Sequence, residues 1–282
     1  MKNPFQKISV LGGGLLGGSL ALALQDKVEV RLWFRKADAV SGAKGLGISG
    51  ATADLKEAVK DCDLLILAVP VGAMSDLLAA AVDAGLPSTA LVTDVGSVKQ
   101  APHRQLAPIL STAGNVFIGS HPMAGSEQNG LRAARADLFK DAACLLTNDS
   151  SAPEKLTKEL EDFWRSLDCR TRWFSGEEHD RVVARISHLP HITAAATALS
   201  ALGAAPEHGD LAGGGLRDTT RVASGNPSMW AEILCENKEA VVAELRDNIG
   251  HLNEILASLE AGDLETARTW LEQAKQLRDH LK

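Results

Sequence analysis

Ile8-Ser9-Val10-Leu11-Gly12-Gly13-Gly14-Leu15-Leu16-Gly17 decides how the first half of the chain folds. Residues 8–11 read as a buried strand, and residues 15–24 are apolar enough for a buried helix. Between them, Gly12, Gly14 and Gly17 fit G-x-G-x-x-G. In such a turn the first glycine makes the bend. The second lets a pyrophosphate approach the backbone, and the third lets helix pack on strand. The helix N-terminus then offers its free N–H groups to the phosphates. A bare glycine triplet is common in ordinary turns, but the strand–turn–helix context favours a dinucleotide site. Gly12, Gly14, Leu15, Leu16 and Gly17 are its candidate residues.

Outward from that turn, short β-rich runs alternate with helical ones. Residues 28–34, 64–68, 90–94 and 116–119 are further strand candidates. Alternating strand and helix with near-continuous apolar strands predicts a parallel sheet covered on both faces. Residues 145–147, a helix over 153–167 and a strand over 170–174 are expected to complete that sheet. After Gly176 no strand signal remains. Residues 177–202, 214–224, 228–259 and 263–281 carry apolar residues at helical spacing. The expected fold class is an α/β doubly wound (Rossmann-type) N-terminal domain over 1–174, followed by an all-α C-terminal domain over 175–282.

Bulk properties narrow the function. Lys plus Arg is 29 and Asp plus Glu is 36, giving a formal charge of −7 and no basic run. That balance disfavours nucleic acid as a partner, which requires clustered positive charge. The four cysteines, Cys62, Cys144, Cys169 and Cys235, show no CxxC spacing, so neither a zinc ribbon nor a disulfide framework is expected. The apolar stretch 8–24 holds five glycines and no cleavage pattern follows it, so it reads neither as a leader nor as a membrane span. The expectation is a cytoplasmic protein.

The second strand ends Trp33-Phe34-Arg35-Lys36, where NAD sites place an acid for the ribose 2′-hydroxyl. Two cations stand there instead. Arg35 suits a 2′-phosphate, so NADP is the preferred cofactor and NAD the alternative; a solvated helix start is the other reading of these two residues. The loop Ser120-His121-Pro122-Met123-Ala124-Gly125-Ser126-Glu127 follows the strand over 116–119. Ligands of open parallel sheets bind beyond the strand C-termini. An imidazole there can take a hydroxyl proton while hydride leaves the same carbon. Ser97, in Asp94-Val95-Gly96-Ser97-Val98-Lys99, sits at the neighbouring strand end.

Two clusters lie in the helical half. In Ser187-His188-Leu189-Pro190-His191 the two histidines are three apart on one helical face, and Pro190 should kink the helix. No glutamate completes an H-E-x-x-H zinc motif, so a pocket role stands beside a bland pair of core histidines. In Gly213-Gly214-Gly215-Leu216-Arg217-Asp218-Thr219-Thr220-Arg221 the arginines are four apart. Such a pair suits a carboxylate through bidentate forks, with a solvated charged face as the alternative.

Taken with Ala68-Val69-Pro70, His179-Asp180 and Asn226-Pro227-Ser228-Met229-Trp230, these motifs make the sequence resemble the prephenate/arogenate (cyclohexadienyl) dehydrogenase family along almost its whole length. The resemblance implies oxidative decarboxylation of prephenate to 4-hydroxyphenylpyruvate, or of arogenate to tyrosine, with a nicotinamide cofactor. It implies that His121 is the catalytic histidine and that Ser97 orients the substrate hydroxyl. Arg221 would hold a substrate carboxylate. His188, His191, Arg217, Ser126 and Glu127 would line or order the substrate site, and Val69 and Pro70 would border the cofactor. It also implies a homodimer through the helical domain, no metal, no nucleic acid and no membrane partner. No mutase extension or C-terminal regulatory domain is expected. The alternatives are a 3-hydroxyacid-type dehydrogenase, which would be expected to use a catalytic lysine in its helical domain, and a non-catalytic nicotinamide-binding protein.

Overall fold

A computed structural model describes residues 3–125 and 130–281. The chain divides into two compact units after Asn237. The larger begins with β1 (Lys7–Leu11), α1 (Leu15–Leu24), β2 (Glu29–Trp33), α2 (Asp38–Gly45), β3 (Ala51–Thr52), α3 (Leu55–Val59) and β4 (Leu64–Leu67). It continues with α4 (Met74–Asp83), β5 (Leu91–Asp94), α5 (Gln100–Ala113) and β6 (Val116–Phe117). These strands form one six-stranded sheet in the order β3-β2-β1-β4-β5-β6, with every pairing parallel. The order reverses between β1 and β4, the crevice position where such sheets bind ligands.

The central strand β4 is buried on both faces because it is apolar at every position, whereas β2 alternates exposed or half-buried Glu29, Arg31 and Trp33 with buried Val30 and Leu32. In β4, Leu64 and Ile66 enter one core cluster with Ile8, Val10, Leu20, Phe163 and Trp164. Leu65 and Leu67 enter the other, with Leu78, Val92, Leu106 and Phe117. A polar–apolar alternation would have left one face wet.

The sheet does not continue to residue 174, contrary to the sequence expectation. β7 (Gly119–Pro122), β8 (Ala143–Thr147) and β9 (Arg170–Phe174) form a second, three-stranded sheet, with α6 (Glu154–Arg165) between β8 and β9. β7 and β8 are antiparallel, β8 and β9 parallel. The expected strand over 116–119 is therefore split. Asp94 supplies the physical reason: its carboxylate Oδ1 accepts Ser120 N at 3.1 Å, taking the N–H that would have continued the parallel ladder beside β5. His121 consequently lies in a strand, not in a loop as expected.

α7 (Gly176–Val183), α8 (Leu189–Leu202), α9 (Gly214–Thr220) and α10 (Pro227–Glu236) complete this unit. A wide π turn over Ala184–His188 joins α7 to α8. It absorbs Pro190, which sits in the first turn of α8, where its missing N–H costs nothing. The expected helix over 214–224 becomes α9 plus a tighter 3-10 turn, Arg221–Ser224. The smaller unit holds α11 (Lys238–Ala261) and α12 (Leu264–Asp279), so the helix expected over 228–259 is interrupted at Asn237. Asp263 caps α12 by accepting Thr266 N at 3.0 Å. No helix among the described residues is long and apolar enough to cross a membrane.

Candidate active site

The glycine turn is built from close approaches. Gly12 has φ +120°, and a Cβ there would lie 2.3 Å from Ala68 O and 2.9 Å from Val69 Cγ1. This places Val69, and Pro70 after it, beside the turn. A Cβ on Gly17 would lie 1.9 Å from Gly12 O, so helix and turn touch through backbone. A Cβ on Gly13 would strike the Phe34 ring. Gly14 differs: nothing lies within 4 Å of its added Cβ. It is also the N-cap of α1 and brings no side chain to the helix N–H groups. Open space at the second glycine, in front of uncapped donors, fits a pyrophosphate. Leu15 and Leu16 pack against the core behind that space. Arg35 and Lys36 lie just past β2, after Phe34, and are exposed.

The catalytic candidate is part of a connected polar chain. His121, 7% exposed on β7, has Nδ1 2.9 Å from Nε2 of His179. His179 Nδ1 is 2.8 Å from Asp180 Oδ1. Asp180 also accepts the backbone N–H groups of Lys99 (2.7 Å) and Gln100 (3.0 Å), capping the N-terminus of α5. Asn237 Nδ2 donates to the Asp180 carbonyl (2.7 Å) and lies 3.2 Å from His188 Nδ1. One amide thus joins α7, the π turn and the end of α10.

Burial sets the charge states. His121 is held well below the usual imidazole range by loss of water first, and any positive charge on His179, on Lys99 or on His188 acts in the same direction. His179 is lowered mainly by burial, and the Asp180 carboxylate only partly counters it. His188 is pushed down to about 4, again by burial first. Burial pushes Asp180 up, but hydrogen bonds from His179, Gln100 and Lys99 outweigh it, and its carboxyl ends below the usual range. The arrangement presents neutral imidazoles and one anchored carboxylate at pH 7.

Ser97 stands half-buried on the β5–α5 loop. That loop is pinned by Lys99, whose Nζ, 0% exposed with its partner Asp94, reaches Asp94 Oδ2 (2.6 Å), Gly96 O (2.9 Å) and Val98 O (3.0 Å). Gly119 must be glycine here, since a Cβ would sit 2.7 Å from Lys99 Cδ and 2.4 Å from Thr147 Oγ1.

His188 and His191 converge on Trp230. His191 stacks on its ring at 3.6 Å and 11°, and His188 meets it edge-on at 6.1 Å. The amide of Asn237 must donate to a carbonyl, so its nitrogen also faces His188 Nδ1 as donor, and the His188 proton lies on Nε2. That Nε2 is buried without a partner, as is His191 Nδ1; the His191 ring is also hydrogen-bonded to the Val222 backbone. Buried polar atoms are ordinarily paired, so one waiting donor and one waiting acceptor mark a ligand surface. No group of three metal-ligating side chains exists among the described residues. Arg217 and Arg221 are exposed, and Arg217 Nε donates to Ala212 O at 3.3 Å. The Arg221–Ser224 turn packs on α8, the helix carrying His191. Ser126 and Glu127 lie outside the described residues.

His179, Asp180 and Asn237 received no role from sequence reasoning. His179-Asp180 was visible as a motif, whereas nothing near Asn237 in sequence marks it.

A Rossmann-type sheet with an open glycine turn, joined to helices that deliver neutral histidines to a strand end, defines a nicotinamide-nucleotide dehydrogenase. Residues 20–172 match the family model described as prephenate dehydrogenase, nucleotide-binding domain, and residues 175–273 match prephenate dehydrogenase, dimerization domain. The chain belongs to the prephenate dehydrogenase family, whose members are NAD(P)-dependent oxidoreductases. It is 32% identical to the cyclohexadienyl dehydrogenase of Zymomonas mobilis, covering 99% of this chain and 97% of that protein. The crystal structure of prephenate dehydrogenase from A. aeolicus, in complex with hydroxyphenyl propionate and NAD+, superimposes with a TM-score of 0.88 at 29% identity, covering 98% of each chain. Synechocystis arogenate dehydrogenase gives 0.78 at 30% identity, over 97% of this chain and 99% of that one.

Proposed function

We propose that this chain oxidises prephenate to 4-hydroxyphenylpyruvate and CO2, a step towards tyrosine, with NADP preferred over NAD. The observation that carries the reading is His121: a buried, neutral imidazole on β7 with one nitrogen engaged by His179. The bound nicotinamide supplies the acceptor for the hydride that leaves substrate C4. His121 draws the proton from the hydroxyl on that carbon through Nε2, with Ser97 orienting the hydroxyl. As the C4 carbonyl forms, the C1 carboxylate leaves as CO2 and its bonding electrons complete the aromatic ring. Aromatisation drives the step, so one imidazole suffices as base. Arg221 holds a substrate carboxylate. Arg217, His188, His191, Ser126 and Glu127 shape the rest of the pocket. Gly12, Gly14, Leu15, Leu16, Gly17, Val69 and Pro70 cradle the dinucleotide, and Arg35 meets the 2′-phosphate.

Prephenate is favoured over arogenate because the acid closest to Trp230 in sequence is already engaged and not free for an ammonium. Glu232, the acid nearest Trp230 in sequence, accepts Gly72 N at 2.6 Å. His188 presents a donor suited to a keto oxygen. Arogenate, the substrate in the name of the Synechocystis relative, is the second reading. Residues 1–174 act as the cofactor domain and 175–282 as the substrate and dimer domain. The exposed Ile249, Leu252, Leu256, Leu259, Leu264 and Leu271 of α11 and α12 supply apolar surface for a homodimer. The compartment is the cytoplasm.

Initial rates of nicotinamide reduction in a grid of prephenate or arogenate against NAD or NADP test the reading. Activity highest with prephenate and NADP is expected. A silent grid from folded, cofactor-binding protein overturns it.

A further inference from the structure

We propose that His179 and Asp180 are positioning residues that hold His121 in its Nδ1–H form, so that the lone pair on Nε2 faces the substrate hydroxyl. The inference rests on the proposed role of His121 and deepens it.

The hydrogen-bond chain has a definite polarity, set at its buried end. Asp180, 1% exposed, receives two backbone N–H groups from the first turn of α5, where the helix dipole favours a negative charge. A carboxylate in that position only accepts. The 2.8 Å contact from His179 Nδ1 is therefore N–H to oxygen. A neutral His179 then has only a lone pair on Nε2. The contact from that atom to His121 Nδ1, at 2.9 Å, is a hydrogen bond only if His121 carries the proton on Nδ1. Neutral His121 is left with its lone pair on Nε2. Each imidazole's tautomer is set by the hydrogen bond at its other nitrogen, and the series ends at the backbone of a fourteen-residue helix.

The alternative, a protonated His179 donating to His121, would put the His121 proton on Nε2 and offer the hydroxyl a donor where an acceptor is needed. Burial of His179 works against that charge. Asn237 adds stiffness by donating to the Asp180 backbone carbonyl, separately from the bonds that hold the carboxylate. The geometry is related to that by which a buried carboxylate sets a histidine tautomer in hydrolases, but a second imidazole is interposed and the acid is fixed by a helix end.

The test uses the full-length protein and two readouts. Nitrogen-15 spectra of the ligand-free protein report which ring nitrogen of His121 bears hydrogen, whatever the substrate proves to be. The expected result is Nδ1–H in the native chain and a mixed or Nε2–H population in His179→Leu. In steady-state kinetics, His179→Leu should lower kcat by about a hundredfold while KM stays within about threefold. His179→Gln, whose amide oxygen can still accept from His121 Nδ1, should keep at least about ten times the rate of His179→Leu. Asp180→Asn should resemble His179→Leu; because Asp180 also caps α5, the His179 pair decides if that variant does not fold. Nε2–H in the native protein, or His179→Leu turning over at the native rate, overturns the proposal. A His121→Asn protein with native turnover overturns the assignment of His121 itself, and is told apart because the spectra still read the tautomer.

Discussion

The glycine turn at residues 12–17 is made of sequence neighbours; the histidine chain is made of strangers. Gly12, Gly14 and Gly17 act within one bend, where Gly12 and Gly17 are constrained by backbone distances to residue 68 and to each other and Gly14 faces open space. His121 meets His179 across 58 residues, and Asn237 meets Asp180 across 57 and His188 across 49. A local motif specifies its own geometry. A dispersed site inherits its geometry from the fold, and its meaning emerges only when strands and helices are placed.

The largest expected effect asks whether the two regions are separable. His121→Asn removes the proposed base and leaves the glycine turn untouched. It should lower kcat by about a thousandfold with cofactor affinity, measured by fluorescence titration, unchanged within about twofold. Loss of both together would mean that turn and histidine chain act as one site.

Acid should act on the histidine chain and leave the glycine turn, which has no titrating side chain, untouched. His188 titrates near 4 when folded, against an ordinary 6.5. Between those values the unfolded chain binds a proton that the folded chain refuses. Stability is therefore fully present above 6.5 and declines as pH falls towards 4, by on the order of 3 kcal/mol from this residue. His121 and His179, also lowered, act with the same sign. Asp180, lowered as well, loses its contribution only at still lower pH, as it protonates. Urea unfolding at pH 7 and 4.5 measures the slope, and His188→Gln should flatten it. A native slope of zero would mean that water reaches these rings.

Within the glycine turn, position decides the outcome. Gly17→Ala drives a Cβ into backbone at 1.9 Å and should cost about 1–3 kcal/mol of stability. Gly14→Ala meets nothing, so the fold should stand while dinucleotide affinity falls, by roughly tenfold if a pyrophosphate lies there. Equal effects on folding from both substitutions would remove the distinction between a packing glycine and a ligand-facing one.

The same contrast explains what was legible in the sequence. The strand expected over 8–11 and the helix over 15–24 stand as read, within one residue of Lys7–Leu11 and Leu15–Leu24, because period and glycine spacing are local. The break after Phe117 was not legible. It depends on the Asp94 side chain intercepting Ser120 N, and hydropathy at 116–122 carries no trace of that contact. The π turn before Pro190 escaped for a related reason: the proline warned of a disturbance, but the neighbouring helices determine whether it becomes a kink or a widened turn. His121 stood out because a histidine at a strand end is chemically conspicuous. Asn237 did not, because an asparagine between two helical runs is unremarkable until its amide is seen between Asp180 and His188.

The smallest expected effect lies where the two kinds of information meet. Phe34 places its ring against Gly13, where an added Cβ would lie 1.8 Å from its Cε1. The end of β2 is thereby fastened to the glycine turn, and Arg35 follows at once, exposed and without an ion pair among the described residues. A dinucleotide whose pyrophosphate lies on Gly14 carries its adenosine ribose towards the end of this strand. Arg35→Ser should raise KM for NADP by about tenfold, the worth of one exposed charge-assisted contact, and leave KM for NAD unchanged. Lys36 remains to limit the loss. Steady-state rates with each cofactor at saturating prephenate decide it. An equal rise for both cofactors would show that Arg35 serves the pyrophosphate or the strand end, and a native enzyme that prefers NAD would show that the missing acid at this position is not needed for it.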